Sequence, residues 1–233
     1  MNQHKPENGK TLVVVHGYKG DEGQIVGNLP AIEHHDLPIV IMSPWDSPIK
    51  TMGPHICREG GKRAYTGQES LDRQLEHMKM MLDYDADFFL CNDSDSFLLN
   101  PEIPQILYNH RHEVFSNEVI DPRVPDCHAP LPHIAMQPPY FFSRESLERM
   151  VRVGHECKAH PVTPFIDWYY VQLVYAAGLR HTNFPKGMSC ETRSDHGKSV
   201  MEQKVFQGAE FIHSVKEGHF RERLQHIWQS RHA

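Results

Sequence analysis

The runs Thr11–Val15 (TLVVV), Leu37–Met42 (LPIVIM) and Ala86–Cys91 (ADFFLC) are apolar almost throughout, not on alternate residues. A strand of that kind is covered on both faces, so the chain must build a sheet with further layers on either side. Helical stretches alternate with these runs. In Thr66–Asp83 the residues Leu71, Leu75, Met78 and Leu82 form one stripe, and Thr66 with Glu69 makes a capping-box signature. Asn100 and Pro101 open a short helix to Tyr108. Ser143 caps a helix bearing Leu147, Met150 and Val151, and Thr163 and Pro164 open another that Gly178 ends. Further strands are expected at His112–Ser116, Tyr140–Phe142, Arg180–Phe184 and Glu210–His213, with the proline-rich stretch from Asp121 to Pro139 as a long ordered loop. The alternation predicts an α/β fold: a single Rossmann-like domain over residues 1–233, with a mostly parallel central sheet and helices on both faces. Residues 1–10 read as a flexible N-terminus and 217–233 as a basic amphipathic helix.

Composition narrows the function. The chain has 233 residues and a formal net charge of −6, against the basic balance of a protein that coats nucleic acid by charge alone. A local basic patch would still serve a nucleic-acid substrate. No apolar run is long enough to cross a membrane, and the polar start MNQHKPENGK has no signal-peptide core. Five dispersed cysteines without a CxxC pair fit reduced thiols, so a cytoplasmic location is expected.

The chemistry concentrates in Asp87–Leu99, DFFLCNDSDSFLL. A buried strand runs straight into Asp93-Ser94-Asp95. Residues two apart in extended chain point to one side, so both carboxylates can face one point at the carboxyl end of a strand, where open α/β sheets bind ligands. Two such carboxylates repel unless a cation lies between them, and a divalent metal is the economical cation. An acidic solvated turn would read the same way.

The passage GKRAYTGQESLDRQLEHMKMMLDYDADFFLCNDSDSFLL resembles the centre of a GT-A type glycosyltransferase, in which a helix leads to a strand ending in a D-x-D motif. The resemblance implies a Mn²⁺ or Mg²⁺ ion held by Asp93 and Asp95 against the diphosphate of a nucleotide sugar, a UDP-sugar being expected. It also implies a base and ribose pocket at the ends of the first two strands, with His16, Tyr18 and Asp46 as its residues, and Arg63 on the sugar or phosphates. A late His-x-x-Lys would supply His213 as third metal ligand and Lys216 on the diphosphate. Asp167 would take the proton from a hydroxyl acceptor or, in a retaining enzyme, contact the donor sugar. Compact enzymes similar to this chain include phage glycosyltransferases acting on hydroxymethylated pyrimidines in DNA, and Lys204, Lys216, Arg221, Arg223 and Arg231 could offer a basic edge to such an acceptor. Where that family has a small pair of residues before the acceptor-side helix, this chain has Pro138-Pro139.

Other readings have less behind them. Val13-Val14-Val15-His16-Gly17 resembles the oxyanion loop of α/β hydrolases, but no G-x-S-x-G follows. Gly197-Lys198-Ser199 lacks the first glycine of a P-loop, and His155, Cys157 and His160 lack a fourth zinc ligand. A nucleotidyltransferase, or a binding module for nucleotide sugars or nucleic acid on the same fold, remains as the alternative.

Overall fold

The computed structural model describes residues 9–28, 37–98, 105–120, 134–158, 166–185, 188–191, 211–213 and 218–232. Its main sheet has seven strands in the order β3-β2-β1-β4-β7-β6-β8. These are β1 (Thr11–His16), β2 (Ile39–Ser43), β3 (Ile56–Glu59), β4 (Phe88–Asp93), β6 (Glu113–Ile120), β7 (Ile134–Ser143) and β8 (Arg180–Asn183). All neighbouring pairs are parallel except those of β7, which runs antiparallel to both β4 and β6. A second, three-stranded sheet joins β5 (Phe97–Leu98), β10 (Phe211–His213) and β9 (Ser189–Glu191). The expected α/β class and mostly parallel sheet are what the chain forms.

The doubly apolar strands explain the layers. Leu12, Val14, Val40, Met42, Phe89 and Cys91 turn to one face, where they meet α2 (Gly67–Met81), α4 (Arg144–Gly154) and α5 (Ile166–Ala176). Val13, Val15, Ile39, Ile41, Phe88 and Leu90 turn to the other, against Ile25 of α1 (Glu22–Asn28), Leu107 of α3 (Gln105–Tyr108), Phe211, and Trp228 of α6 (Gly218–His232). Leu71, Leu75 and Met78 are buried as their helical spacing predicts. Gly178, at φ +67°, takes the left-handed conformation that ends α5. Among the described residues no helix is long and apolar enough to cross a membrane.

Two local expectations need correction. Thr66 stands at the N-cap of α2 but makes no side-chain cap bond, and Glu69 pairs instead with Lys62 at 3.1 Å, so the capping box does not form. Ser143, by contrast, caps α4 by accepting the Ser146 N–H at 3.1 Å. The larger departure is β7, which begins at Ile134 and carries Pro138 and Pro139 in a strand with a neighbour on each side. Prolines are normally confined to edges because they cannot donate to a ladder. Here the β6–β7 register slips between Phe115 and Asn117, so the prolines sit at a bulge, and Asn117 Nδ2 donates to the Pro138 carbonyl at 2.8 Å. On the other side the β4 register runs only as far as Cys91 opposite Tyr140, short of the prolines. Thr163, Pro164, Asn100, Pro101, Glu210 and the loop residues 121–133 lie outside the described residues.

The start of β4 is held by Arg144. Its Nε donates to the Ala86 carbonyl at 2.7 Å and Nη1 to that of Leu82 at 3.2 Å, and Nη2 donates to the Tyr84 carbonyl. One cation thus satisfies the carbonyls that end α2 and directs the chain into β4. Arg144→Ala should lower unfolding free energy by about 2 kcal/mol, measured as a reduced urea midpoint with unchanged slope.

Candidate functional site

At its carboxyl end β1 aligns His16 with Asp93 of β4 and with Met42 of β2. The loop after β1 and the turn after β4 therefore start side by side. Asp21 joins them: its Oδ2 accepts the Tyr18 N–H at 2.9 Å and the Ser94 hydroxyl at 3.0 Å, while its carbonyl receives the first N–H groups of α1. The acidic turn is closed by the Ser96 N–H on the Asp93 carbonyl at 3.0 Å. Asp93 and Asp95 are half-buried at the strand end. In the small sheet Ile212 pairs antiparallel with Phe97, and continuing that register brings the backbone of His213 opposite Ser96. The side chain of His213 and all of Lys216 lie outside the described residues. Among the described residues no three His, Cys, Asp or Glu side chains gather in a metal-holding group.

Beside the acidic turn stands a cationic and aromatic wall. Arg63 and Arg73 both lie over the Tyr18 ring, at 4.7 and 5.5 Å from its centroid. Arg73 Nη1 donates to the Tyr18 hydroxyl at 3.3 Å and Arg63 Nη2 to that of Tyr65 at 2.6 Å. Arg73 is only 8% exposed, and among the described residues neither guanidinium forms an ion pair with a carboxylate. Buried cations are ordinarily paired, so buried Arg73, with the exposed Arg63 over the same tyrosine, makes a place that favours an anion. Gly61 allows this approach: at φ +66° it has no Cβ, which would stand 2.5 Å from Arg73 Cβ. Asp46 is exposed, and its Oδ1 accepts the Arg63 N–H at 2.6 Å, so it braces this loop from the end of β2.

His16 and His77 form a short relay under the wall. His77 Nε2 bonds the Gly60 carbonyl at 2.8 Å, and the two Nδ1 atoms are 3.1 Å apart. Burial first, then the charge of Arg73, drives the His77 pKa down to about 4. Burial also pushes His16 well below its usual value, with His77 and Arg73 adding to it. Both rings are neutral at neutral pH.

On the far side of Asp93, Asp167 sits in the first turn of α5, with Gln137 Nε2 donating to its Oδ2 at 3.5 Å. Tyr140 lies between: burial raises its phenol pKa, and the charges of Asp167 and Asp93 raise it further. Its ring stacks on Tyr170 at 4.1 Å. The structure thus brings His16, Tyr18, Arg63, Asp46, Asp93, Asp95 and Asp167 to the same end of the sheet. Sequence reasoning missed Asp21, Arg73 and His77. Ser70, Arg73, Gln74 and His77 form a buried polar band along α2 at helical spacing, next to its apolar stripe, and that spacing was the available signal. Of the basic residues expected along the C-terminal helix, Arg221 is half-buried with its stem against Gly27 of α1, and Arg223 is exposed. Lys204 and the Arg231 side chain lie outside the described residues.

No protein-family model matches the chain, and no curated protein matches it in sequence. Among solved structures, the apo structure of the bifunctional glycosyltransferase WbbM superposes with a TM-score of 0.54 over 90% of this chain, at 13% identity. The chain shares its fold with a glycosyltransferase. It spans about half that neighbour, 46% of whose length is matched.

The relay carries a pH dependence. An unfolded histidine takes up a proton near pH 6.5, whereas folded His77 resists protonation down to about pH 4. Its contribution is complete above pH 6.5 and is lost as the pH falls toward 4. At ~1.4 kcal/mol per pKa unit that loss approaches about 3 kcal/mol. The melting temperature should fall steeply between pH 6.5 and 4, and the fall should be shallower in His77→Gln.

Proposed function

We propose that the chain is a metal-dependent GT-A type glycosyltransferase that moves a sugar from a nucleotide-diphosphate sugar, expected to be a UDP-sugar, to a hydroxyl acceptor. The observation that carries this reading is the pairing of an acidic turn, Asp93-Ser94-Asp95, with two guanidinium groups that form no ion pair among the described residues, at the same sheet edge. A diphosphate with a divalent ion is a ligand that uses both signs of charge. The fold shared with WbbM supports it, and the D-x-D resemblance supplies the roles.

Asp93 and Asp95 supply hard oxygen donors, the set that Mg²⁺ and Mn²⁺ accept, and His213 is proposed to join them, which favours Mn²⁺. When bound, the ion would offset the negative charge that grows on the diphosphate as the anomeric bond breaks. Arg63 and Arg73 hold the phosphates from the opposite side, and Lys216 adds a further cation. Guanidinium groups fixed by Tyr18 and Tyr65 need little reorganisation as charge develops, and each such donor is worth about 3 kcal/mol in comparable sites. His16 and Tyr18 hold the base and ribose, with Asp46 keeping the loop of Arg63 in place. Asp167 accepts the proton of the attacking hydroxyl. As acceptor, a hydroxymethylated pyrimidine in DNA remains a candidate beside saccharide hydroxyls, and a cytoplasmic location is proposed with it.

A thermal-shift screen of nucleoside diphosphates and their sugar conjugates, with and without Mn²⁺, identifies the donor; turnover should then release nucleoside diphosphate. Pyrophosphate release would favour the nucleotidyltransferase, and no release a binding module. Asp95→Ala should stay folded and lose metal-dependent transfer; full Mn²⁺-dependent turnover in that variant would remove the metal assignment. For Arg73→Gln, affinity for UDP should fall at least tenfold, and affinity for uridine should hardly change. An equal loss for both would place Arg73 outside the phosphate site.

A further inference from the structure

The Gly60 carbonyl decides the protonation of the whole histidine relay. A carbonyl only accepts, so His77 Nε2, 2.8 Å from it, carries the hydrogen. The neutral His77 ring then has a lone pair at Nδ1. His16 Nδ1, 3.1 Å away, must donate to it. That leaves His16 Nε2 as a lone pair, buried and without a hydrogen-bond partner. An orphaned acceptor of this kind is unfavourable unless something donates to it. His16 itself is half-buried at the strand end and aligned with Asp93, on the face where Tyr18, Arg73 and Asp93 converge. The two ring planes lie nearly parallel, at 8°, and the bond from His16 Nδ1 to His77 fixes the ring and with it the direction of that lone pair.

We infer that His77 is a positioning residue that locks His16 in its Nδ1–H tautomer, so that Nε2 selects a donor substrate whose nucleoside presents a hydrogen-bond donor, either an imide N–H or a ribose hydroxyl. The inference rests on the nucleotide-sugar reading above. A nucleobase that turns a ring lone pair toward Nε2, as cytosine does at its N3, is disfavoured, whereas uracil offers an N–H at the same position.

Nitrogen-15 NMR of histidine-labelled protein at pH 7.5 reads the tautomer directly, and calorimetric titration with UDP, CDP, N3-methyl-UDP and 2′-deoxy-UDP reads the selection. His16 should show the Nδ1–H tautomer, and its Nε2 resonance should shift on UDP binding. His77→Gln, whose amide can donate to Gly60 and accept from His16, should keep that tautomer. His77→Phe should lose it and, with it, the preference among nucleotides. If the imide is the donor, wild-type protein binds UDP about tenfold more tightly than CDP and N3-methyl-UDP; if the ribose hydroxyl is the donor, 2′-deoxy-UDP alone binds about tenfold more weakly. An Nε2–H tautomer in the wild type, or equal affinity for all four nucleotides, overturns the inference. An Nδ1–H tautomer in a protein that binds none of the four overturns the nucleotide reading, and the selection with it, while leaving the tautomer lock in place.

Discussion

The site depends on one alignment: the parallel pairing that puts His16 opposite Asp93. Both strands are buried on both faces, so neither can slide by one residue without turning its inward set around. Asp21 then locks the two strand exits together through Tyr18 and Ser94. One residue thus bonds two loops with its carboxylate and starts α1 with its backbone carbonyl. It leaves Asp93 and Asp95 at a turn whose position is inherited from the core beneath it, and Arg144 secures the other end of the same strand.

Charge is the second constraint. With a net charge of −6 the chain as a whole repels anions, yet Arg63 and Arg73 are held together on Tyr18 with no ion pair to a carboxylate among the described residues. Packing makes that tolerable, because the aromatic face attracts each cation and Gly61 gives Arg73 room to pass. The same field acts on the histidines below, where Arg73 helps to keep His16 and His77 neutral. A cationic wall over an uncharged relay, facing two carboxylates, can hold a ligand that is anionic at one end and a neutral hydrogen-bond donor at the other.

Much of this was legible in the chain because the signals were local. TLVVV and ADFFLC announce buried strands, and the step from Cys91 to Asp93 announces a sheet edge. The α2 stripe of Leu71, Leu75 and Met78 followed from spacing alone. What was not legible depended on partners distant in sequence. Pro138 and Pro139 look like loop residues until the bulge they form in β7 opposite Ser116 removes the need for their N–H groups. Thr66 and Glu69 spell a capping box, but Lys62 takes the glutamate. Arg73 and His77 lie beside the apolar stripe of α2, and their inward role depends on distant partners: the Gly60 carbonyl on His77, and Gly61 and Tyr18 against Arg73.

The same partners bear on the acceptor. A duplex backbone would have to be gripped by exposed cations, and the C-terminal helix commits Arg221 to packing against Gly27, with Gln225 Nε2 bonded to the Gly27 carbonyl at 2.7 Å. The exposed groups that do ring the sheet edge are different in kind: Trp45 at 57% and Tyr65 at 59% exposure, with Arg63 between Tyr65 and Tyr18. Flat apolar faces with a cation fixed between them suit the ring of a sugar or a base better than a run of phosphates. A DNA acceptor would therefore have to be recognised through one flipped nucleotide, with its backbone held by residues elsewhere on the chain.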